Sequence, residues 1–140
     1  MSAAGKAAEE FDSGALARRL AEIADSKGAT GIVVLDMRKL VSYTDYLAIC
    51  TARNERQARA IVDEVKLRLK EDDGRLPGGT DGEGAAGWIA LDFLDAVLHV
   101  FTYEARQRYQ LEDLWREAPR LDLPFPQDDV RGHLYGAAHG

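Results

Sequence analysis

The first predicted helix carries apolar residues at spacings of four, three and one, which places them on one face. They are Leu16, Leu20, Ile23 and Ala24. Asp12 or Ser13 has the side chain of a helix N-cap, and Gly28 is typical of a helix end. Residues 1–10 are rich in Ala and Glu without a long apolar stripe. We therefore expect a flexible lead-in followed by a helix.

A second helix is predicted between Asn54, which can cap it, and Gly74, which stops it. Its core-facing stripe consists of Ala58, Ile61, Val62, Val65 and Leu69. The charged run at residues 70–73 is typical of a helix end in contact with water.

Two short, continuous apolar runs, residues 31–36 and 45–51, predict strands that are buried on both faces. The densest apolar stretch of the chain follows at residues 88–101 and is interrupted once, at residues 92–95. Two strand-length segments around a short turn predict a β-hairpin.

Alternation of side chains along the hairpin assigns its residues to two faces. On the first strand, Trp88, Ala90 and Asp92 share one face, and Ile89, Leu91 and Phe93 share the other. On the second strand, Val97, His99 and Phe101 alternate with Leu98 and Val100. Because Phe93 stands at the edge of the turn, we expect it to be exposed.

The order helix, strand, strand, helix, hairpin, short helical turns predicts an α/β, or α+β-like, domain with a mixed sheet flanked by helices. The short turns fall at residues 103–114. The proline cluster at residues 119, 124 and 126 predicts the end of the domain. We expect a lead-in at 1–10, one domain at 11–119 and a flexible tail at 120–140.

Composition narrows the class of protein. The chain has 140 residues, 46% of them hydrophobic, which suits one globular domain without disulfides. Its single cysteine, Cys50, lies in an apolar run, so a buried thiol is favoured over a reactive one. No apolar run reaches the roughly 18 residues of a membrane span, and no signal peptide is evident at the start.

The net charge of −6 argues against nucleic-acid binding, which depends on clustered Lys and Arg. An acidic chain is better suited to a basic protein partner, because opposite potentials accelerate encounter.

The glycine-rich stretch at residues 75–87 raises the question of phosphate binding. It contains neither GxxxxGK[ST] nor a GxGxxG that opens a helix. We therefore interpret it as a mobile surface loop.

Asp92, Asp95 and His99 could form an acid–base or metal-binding set. Two alternatives are more consistent with their positions. Aspartates beside a turn commonly bond to the nearby backbone, and a lone histidine in an apolar strand is usually a hydrogen-bonded structural residue. We therefore expect no catalytic residues, no metal and no cofactor. A phosphoryl-transfer enzyme would need paired acidic metal ligands beside a phosphate-binding loop, and no such pair is evident.

Short pieces of the chain, spread over about residues 12–119, match a known family signature in order and spacing. They are Val34-Leu35-Asp36, Thr44-Asp45-Tyr46, Glu55-Arg56, Ala60-Ile61-Val62-Asp63-Glu64, Pro77, Glu83-Gly84, Trp88-Ile89, Leu91-Asp92, Asp95, His99-Val100-Phe101, Tyr109, Leu111-Glu112 and Leu114-Trp115. Taken together, these pieces resemble the Iojap-like ribosomal silencing factors, the RsfS family.

The resemblance implies a sheet of nucleotidyltransferase-like architecture without its catalytic residues, and a non-enzymatic cytoplasmic protein. It implies binding to the large ribosomal subunit through the universal ribosomal protein number fourteen, on the intersubunit face. The consequence would be hindered subunit joining and repressed translation under nutrient limitation. An enzyme of nucleotidyltransferase-like fold is the runner-up. A ribosome-assembly adaptor on the same surface stays open, as does a homodimer of the free protein. Direct nucleic-acid readout and membrane binding are not expected.

Carried over by position, the family's partner surface falls on Trp88, Asp92, Phe93 and Asp95. The chain departs from the family at Leu94, where glycine is usual before the second aspartate of the turn. A tight turn with positive φ is harder without glycine, so we expect a wider turn and an exposed Leu94. The second departure is 52–54, Ala-Arg-Asn in place of Gly-Thr-Ser, which argues against phosphate binding there.

Overall fold

The computed structural model describes residues 2–81 and 87–125 and contains five strands and four helices in these ranges. In chain order they are α1 (Ser2–Ser26), β1 (Thr30–Asp36), β2 (Tyr46–Ala52), α2 (Glu55–Asp73), β3 (Gly79–Asp81), β4 (Trp88–Asp92), β5 (Ala96–Thr102), α3 (Tyr103–Tyr109) and α4 (Leu111–Leu114). Within these ranges, no helix has the length and hydrophobicity needed to span a lipid bilayer.

The five strands form one mixed sheet in the order β1-β2-β5-β4-β3. The central pair, β2 and β5, is parallel, and the other three pairs are antiparallel. Helices α1 and α2 pack on one face, while α3 and α4 cover part of the other. The predicted mixed sheet flanked by helices is confirmed. The central strand β2 is buried along its whole length, as predicted for a strand covered on both faces.

The main core lies between the sheet and the two long helices. Every predicted core-facing residue of both helices is buried there. The predicted caps of α2 are also confirmed. The Asn54 side chain accepts a hydrogen bond from the Gln57 backbone N–H at 2.8 Å, and Gly74 takes the left-handed conformation with φ +64°.

Helix α1 begins at Ser2, so the predicted N-cap at Asp12 or Ser13 is wrong. The segment before that point is rich in alanine and glutamate, which have high intrinsic helix propensity and allow the helix to extend without an apolar stripe. The flexibility expected of residues 1–10 stays a prediction.

The glycine-rich stretch is only partly a loop. Residues Gly79–Asp81 form the edge strand β3, which pairs antiparallel with Ala90 to Asp92 of β4. A strand of three residues with two glycine neighbours shows no period-two pattern, which is why the sequence did not predict it. The rest of the predicted loop, residues 82–86, lies outside the described residues.

The opposite edge of the sheet is paired by the segment after α4. The Asp36 N–H donates to the Pro119 carbonyl at 2.7 Å, and the Leu121 N–H donates to the Val34 carbonyl at 2.9 Å. Further along, Leu121, Leu123 and Phe125 pack against the main core. The predicted domain boundary at residue 119 is therefore wrong, because residues 120–125 cover the edge of β1. The remaining tail, 126–140, lies outside the described residues.

We expect a chain that ends at Pro119 to lose about 2 to 3 kcal/mol of unfolding free energy, since three partly buried apolar side chains and an edge pairing are removed. A chain that ends at Phe125 serves as the matched control and should unfold like the full chain. Urea denaturation of the three proteins measures this. Equal stability of both truncated chains would show that residues 120–125 contribute nothing to the fold.

Candidate functional site

The hairpin β4–β5 presents two different surfaces, as its alternation predicts. One side is buried beneath the long helices and carries Ile89, Leu91, Phe93, Leu98 and Val100. The other side is only partly covered. We call it the outer face, formed by Trp88, Ala90 and Asp92 of β4 with Val97 and His99 of β5.

Trp88 lies at the centre of an aromatic cluster at one end of the outer face. Its ring stacks on Phe101 with centroids 5.0 Å apart and contacts Tyr109 of α3 at 4.7 Å. The indole Nε1–H donates a hydrogen bond to Nδ1 of His99 at 3.0 Å. Trp88 and Tyr109 both remain partly exposed, Tyr109 by 41%. The cluster thus offers aromatic surface to solvent while its rings are held from several sides.

His99 is a hydrogen-bond acceptor in this arrangement. Nδ1 must carry the lone pair that receives the indole proton, so the neutral ring is protonated on Nε2. Burial lowers the pKa of His99 from 6.5 to about 4, and the nearby carboxylate of Asp92 opposes this shift. Its neighbours in register, Ile49 on β2 and Ala90 on β4, are apolar. The predicted hydrogen bonding of His99 within the hairpin is confirmed.

Acidification should destabilise the fold through His99. Since the pKa is lowered on folding, the unfolded chain binds the proton first, and stability falls as the pH drops from 6.5 towards 4. One pKa unit corresponds to about 1.4 kcal/mol, and partial exposure reduces the effect, so we expect a loss on the order of 2 kcal/mol. Denaturation of the wild type and His99→Asn at several pH values measures it. An identical pH dependence in both proteins would contradict this assignment.

The hairpin turn is tight, so the expected wider turn is wrong. The Phe93 N–H donates to the Ala96 carbonyl and the Asp95 N–H to the Phe93 carbonyl, both at 2.9 Å. This makes a γ-turn centred on Leu94, which adopts φ +73°. The carboxylate of Asp92 supports the turn by accepting the Leu94 N–H at 2.7 Å. Leu94 is 68% exposed, as predicted.

A non-glycine residue at positive φ costs roughly 1 to 2 kcal/mol. Leu94→Gly and Leu94→Ala both remove the exposed side chain, but only glycine relieves the backbone. We therefore expect the glycine variant to be more stable than the alanine variant by about 1 kcal/mol, after the entropic cost of glycine is deducted. Parallel urea titrations decide this, and a glycine variant that is less stable than the alanine variant would contradict it.

The four predicted partner-binding residues do not share one surface. Trp88 and Asp92 lie on the outer face, four positions apart along β4. Asp95 is exposed at the turn, where its carboxylate lies 3.9 Å from the guanidinium of Arg75. Phe93 is only 3% exposed and belongs to the core beneath the helices. The expectation that Phe93 is exposed is therefore wrong.

Two exposed apolar side chains near these residues were not predicted as part of the site. Leu94 lies at the tip of the turn, and Tyr109 extends the aromatic surface of Trp88. The alternation of β4 already indicated that Phe93 shares the buried face of Leu91. No sequence signal placed Tyr109 beside Trp88, because that contact depends on how α3 folds back over the sheet.

Two of the three groups considered for catalysis, Asp92 and His99, form hydrogen bonds within the fold, whereas Asp95 is exposed. The Asp92 carboxylate and the His99 ring bind hairpin groups, and Asn54 of the 52–54 segment caps α2. Cys50 is fully buried, and burial raises the pKa of its thiol to about 12. Among residues 2–81 and 87–125, no three His, Cys, Asp or Glu side chains come together in a way that could hold a metal ion.

Comparison with known proteins relates this chain to a family. The family model described as "Ribosomal silencing factor during starvation" matches residues 10–137. A protein of Bacillus subtilis named ribosomal silencing factor RsfS is 38% identical over 101 residues, which are 72% of this chain and 85% of that protein. A protein of the same name from Haemophilus influenzae is also 38% identical over 101 residues, 98% of its own length.

The fold is likewise similar to a solved structure. A crystal structure of a protein from Chromobacterium violaceum matches with a TM-score of 0.69 and 25% sequence identity. The match covers 82% of this chain and 94% of that one. Sequence and structure therefore point to the same group of proteins.

Proposed function

Because this chain belongs to the RsfS family of ribosomal silencing factors, we propose that it binds the large ribosomal subunit in the cytoplasm and represses translation when nutrients are short. The contact is made with the universal ribosomal protein number fourteen on the intersubunit face. Bound there, the protein blocks joining of the small subunit by steric exclusion. Family membership is the observation that carries this proposal.

The outer face supports the proposal as the docking surface. Partly exposed tryptophan and tyrosine rings are frequent binding anchors, because they bring large, stiff contact area. Here Trp88 and Tyr109 form such a centre, and Leu94 adds apolar surface at the turn. The buried position of Phe93 removes it from the proposed contact.

Charge favours a basic partner. The chain has a net charge of −6, and Asp92 and Asp95 lie at the turn end of the hairpin, where they can meet lysine and arginine side chains. Pairs at the rim of an interface mainly accelerate encounter and are screened by salt. We therefore expect binding to weaken as the salt concentration rises.

Co-sedimentation with isolated large and small subunits tests the proposal. The wild type should pellet with large subunits only. Trp88→Ala should weaken this binding by about 2 kcal/mol, roughly 30-fold, which is the usual loss for a central aromatic anchor. Leu67→Ala is the matched control, since Leu67 is an exposed apolar residue on α2, away from the outer face.

Equal recovery with both subunits, or with neither, would overturn the proposal. Subunit joining is measured separately by sucrose-gradient sedimentation of mixed subunits. Binding to large subunits without any effect on joining would indicate the alternative role as an assembly adaptor.

The proposal includes the absence of enzymatic activity, in line with a family of regulatory proteins. The nucleotidyltransferase-like alternative requires acidic residues free to bind a metal–nucleotide complex. Calorimetry with nucleoside triphosphates and magnesium tests it. Micromolar binding that disappears in Asp92→Asn or Asp95→Asn would favour the enzyme.

A further inference from the structure

The hydrogen bond between Trp88 and His99 has a consequence for binding. An indole has one hydrogen-bonding group, the Nε1–H donor. On the outer face that donor is directed at Nδ1 of His99, 3.0 Å away. Register pairs Trp88 with Phe101 and Ala90 with His99, so His99 is the diagonal cross-strand neighbour of Trp88, a position within reach of long side chains.

We propose that His99 is a positioning residue, whose Nδ1 atom fixes the orientation in which the Trp88 indole meets the partner. The proposal rests on the proposed function, since it assigns a role within the same docking surface.

The other contacts of the indole do not fix its orientation as closely. Phe101 and Tyr109 contact its ring at centroid distances of 5.0 and 4.7 Å. Such apolar contacts restrict where the ring lies, but they are non-directional and do not by themselves select one ring orientation about the Cβ–Cγ bond. A hydrogen bond weakens steeply as its angle departs from linearity. His99 therefore determines which edge of the indole is turned towards solvent.

The same bond limits what Trp88 can offer a partner. Because the N–H is already engaged, only carbon edges and the π surface remain for intermolecular contact. These suit an apolar group or a lysine or arginine cation, which agrees with the acidic character of the chain. A side chain already held in its binding orientation also loses less conformational entropy on association.

Two substitutions separate positioning from simple packing. His99→Asn keeps an acceptor, because its amide oxygen can occupy the place of Nδ1. His99→Leu is apolar and has no acceptor. Val97→Ala is the control for the measurement on the free protein only, since Val97 lies on the same strand and the same face but its side chain has no hydrogen-bonding group.

The first measurement uses the free protein. The indole N–H resonances of Trp88 and Trp115 are recorded by ¹H–¹⁵N NMR and assigned with Trp115→Phe. We expect the Trp88 resonance to shift, and its solvent exchange to accelerate about tenfold or more, in His99→Leu but not in His99→Asn or Val97→Ala. An unchanged Trp88 resonance in His99→Leu would overturn the proposal.

Acid titration of the wild type provides the same information if His99→Leu does not fold. Protonation of His99 removes the acceptor, so the Trp88 indole resonance should move with a midpoint near the His99 pKa of about 4. The charged group that faces the ring is Asp92 on β4, while Ile49 and Ala90 flank it in register. A Trp88 resonance that does not respond to His99 protonation would contradict the proposal.

The second measurement is co-sedimentation with large subunits. His99→Leu should bind about tenfold more weakly, whereas His99→Asn should stay within about threefold of the wild type. Equal binding by folded His99→Leu and wild type, or equal losses in both variants, would overturn the positioning role. If the wild type itself does not bind large subunits, the proposed function fails, and the NMR result still reports on the hydrogen bond.

Discussion

Arg106→Met is expected to lower the free energy of unfolding by about 3 to 5 kcal/mol, the usual cost of removing one partner of a buried ion pair. Arg106 is only 2% exposed. Its guanidinium donates to the carboxylate of Glu112 on α4 at 2.9 Å, to the Gly31 carbonyl at 2.6 Å and to the Thr51 hydroxyl at 2.8 Å. Methionine fills similar space but leaves all three acceptors without a donor.

A double-mutant cycle with Glu112→Leu separates the pair from the other contacts. Each single variant leaves an unpaired group, whereas the double variant removes both charges. We therefore expect the double variant to lose less stability than the sum of the single variants. Urea denaturation measures all four proteins. A loss below about 1 kcal/mol in Arg106→Met would show that the buried pair does not support the fold.

Arg106 also connects stability to the proposed docking surface. It lies on α3, the helix that places Tyr109 against Trp88, and it ties that helix to the ends of β1 and β2 through Gly31 and Thr51. The approach to β1 is close, because a Cβ atom on Gly31 would lie 3.1 Å from the Arg106 guanidinium. Loss of the arginine should therefore loosen the aromatic cluster before the rest of the sheet.

The parts of the fold that the sequence predicts correctly are those with a clear period. The stripe of α2 repeats at helical spacing, and the hairpin alternates at spacing two around a turn. In the helix and in the hairpin, one face is buried against the same core, and this burial requires the regular spacing of apolar residues. Local caps such as Asn54 and Gly74 add to this, since they act on groups within one helical turn.

The parts that the sequence does not predict depend on pairing with another strand. The strand β3 pairs with the next strand, β4, and the segment 119–121 is hydrogen-bonded to β1, far away in the chain. Neither is long enough to show alternation. Proline at 119 even suggested the end of the fold. The Pro119 carbonyl still accepts a hydrogen bond at a sheet edge, because proline lacks only the donor.

The candidate site was predicted only in part, because some of its contacts join elements that are separate in the sequence. Resemblance to a family indicated Trp88, whose position the structure places on the outer face. It did not indicate Arg106, since a buried arginine is recognised only when its acceptors from three separate elements are brought together. Ile89, Leu91 and Phe93 follow one another at a spacing of two, so alternation along the strand already predicts that Phe93 shares their buried face. This signal outweighs the closeness of Phe93 to the turn.

Phe93→Ala should lower the free energy of unfolding by about 3 to 5 kcal/mol, the typical loss for a buried aromatic side chain. Phe93 is 3% exposed and packs with Leu91 and Leu98 in the core beneath α1 and α2. Removing its ring leaves a cavity. The sheet cannot easily move to fill it, because its strands are hydrogen-bonded on both sides. Leu94→Ala is the matched control, because it changes the adjacent, exposed residue and should cost less than about 1 kcal/mol.

The effects of Phe93→Ala and Leu94→Ala on binding should have the opposite order to their effects on stability. Under conditions where Phe93→Ala is still folded, it should bind large subunits like the wild type, since its side chain faces away from the outer face. Leu94→Ala, which remains stable, should bind more weakly, because Leu94 supplies exposed apolar surface at the proposed contact. Denaturation and co-sedimentation of the same two preparations decide the matter. If Phe93→Ala unfolds like the wild type but no longer binds, Phe93 is a contact residue, and the docking surface includes the side of the hairpin that packs beneath the helices.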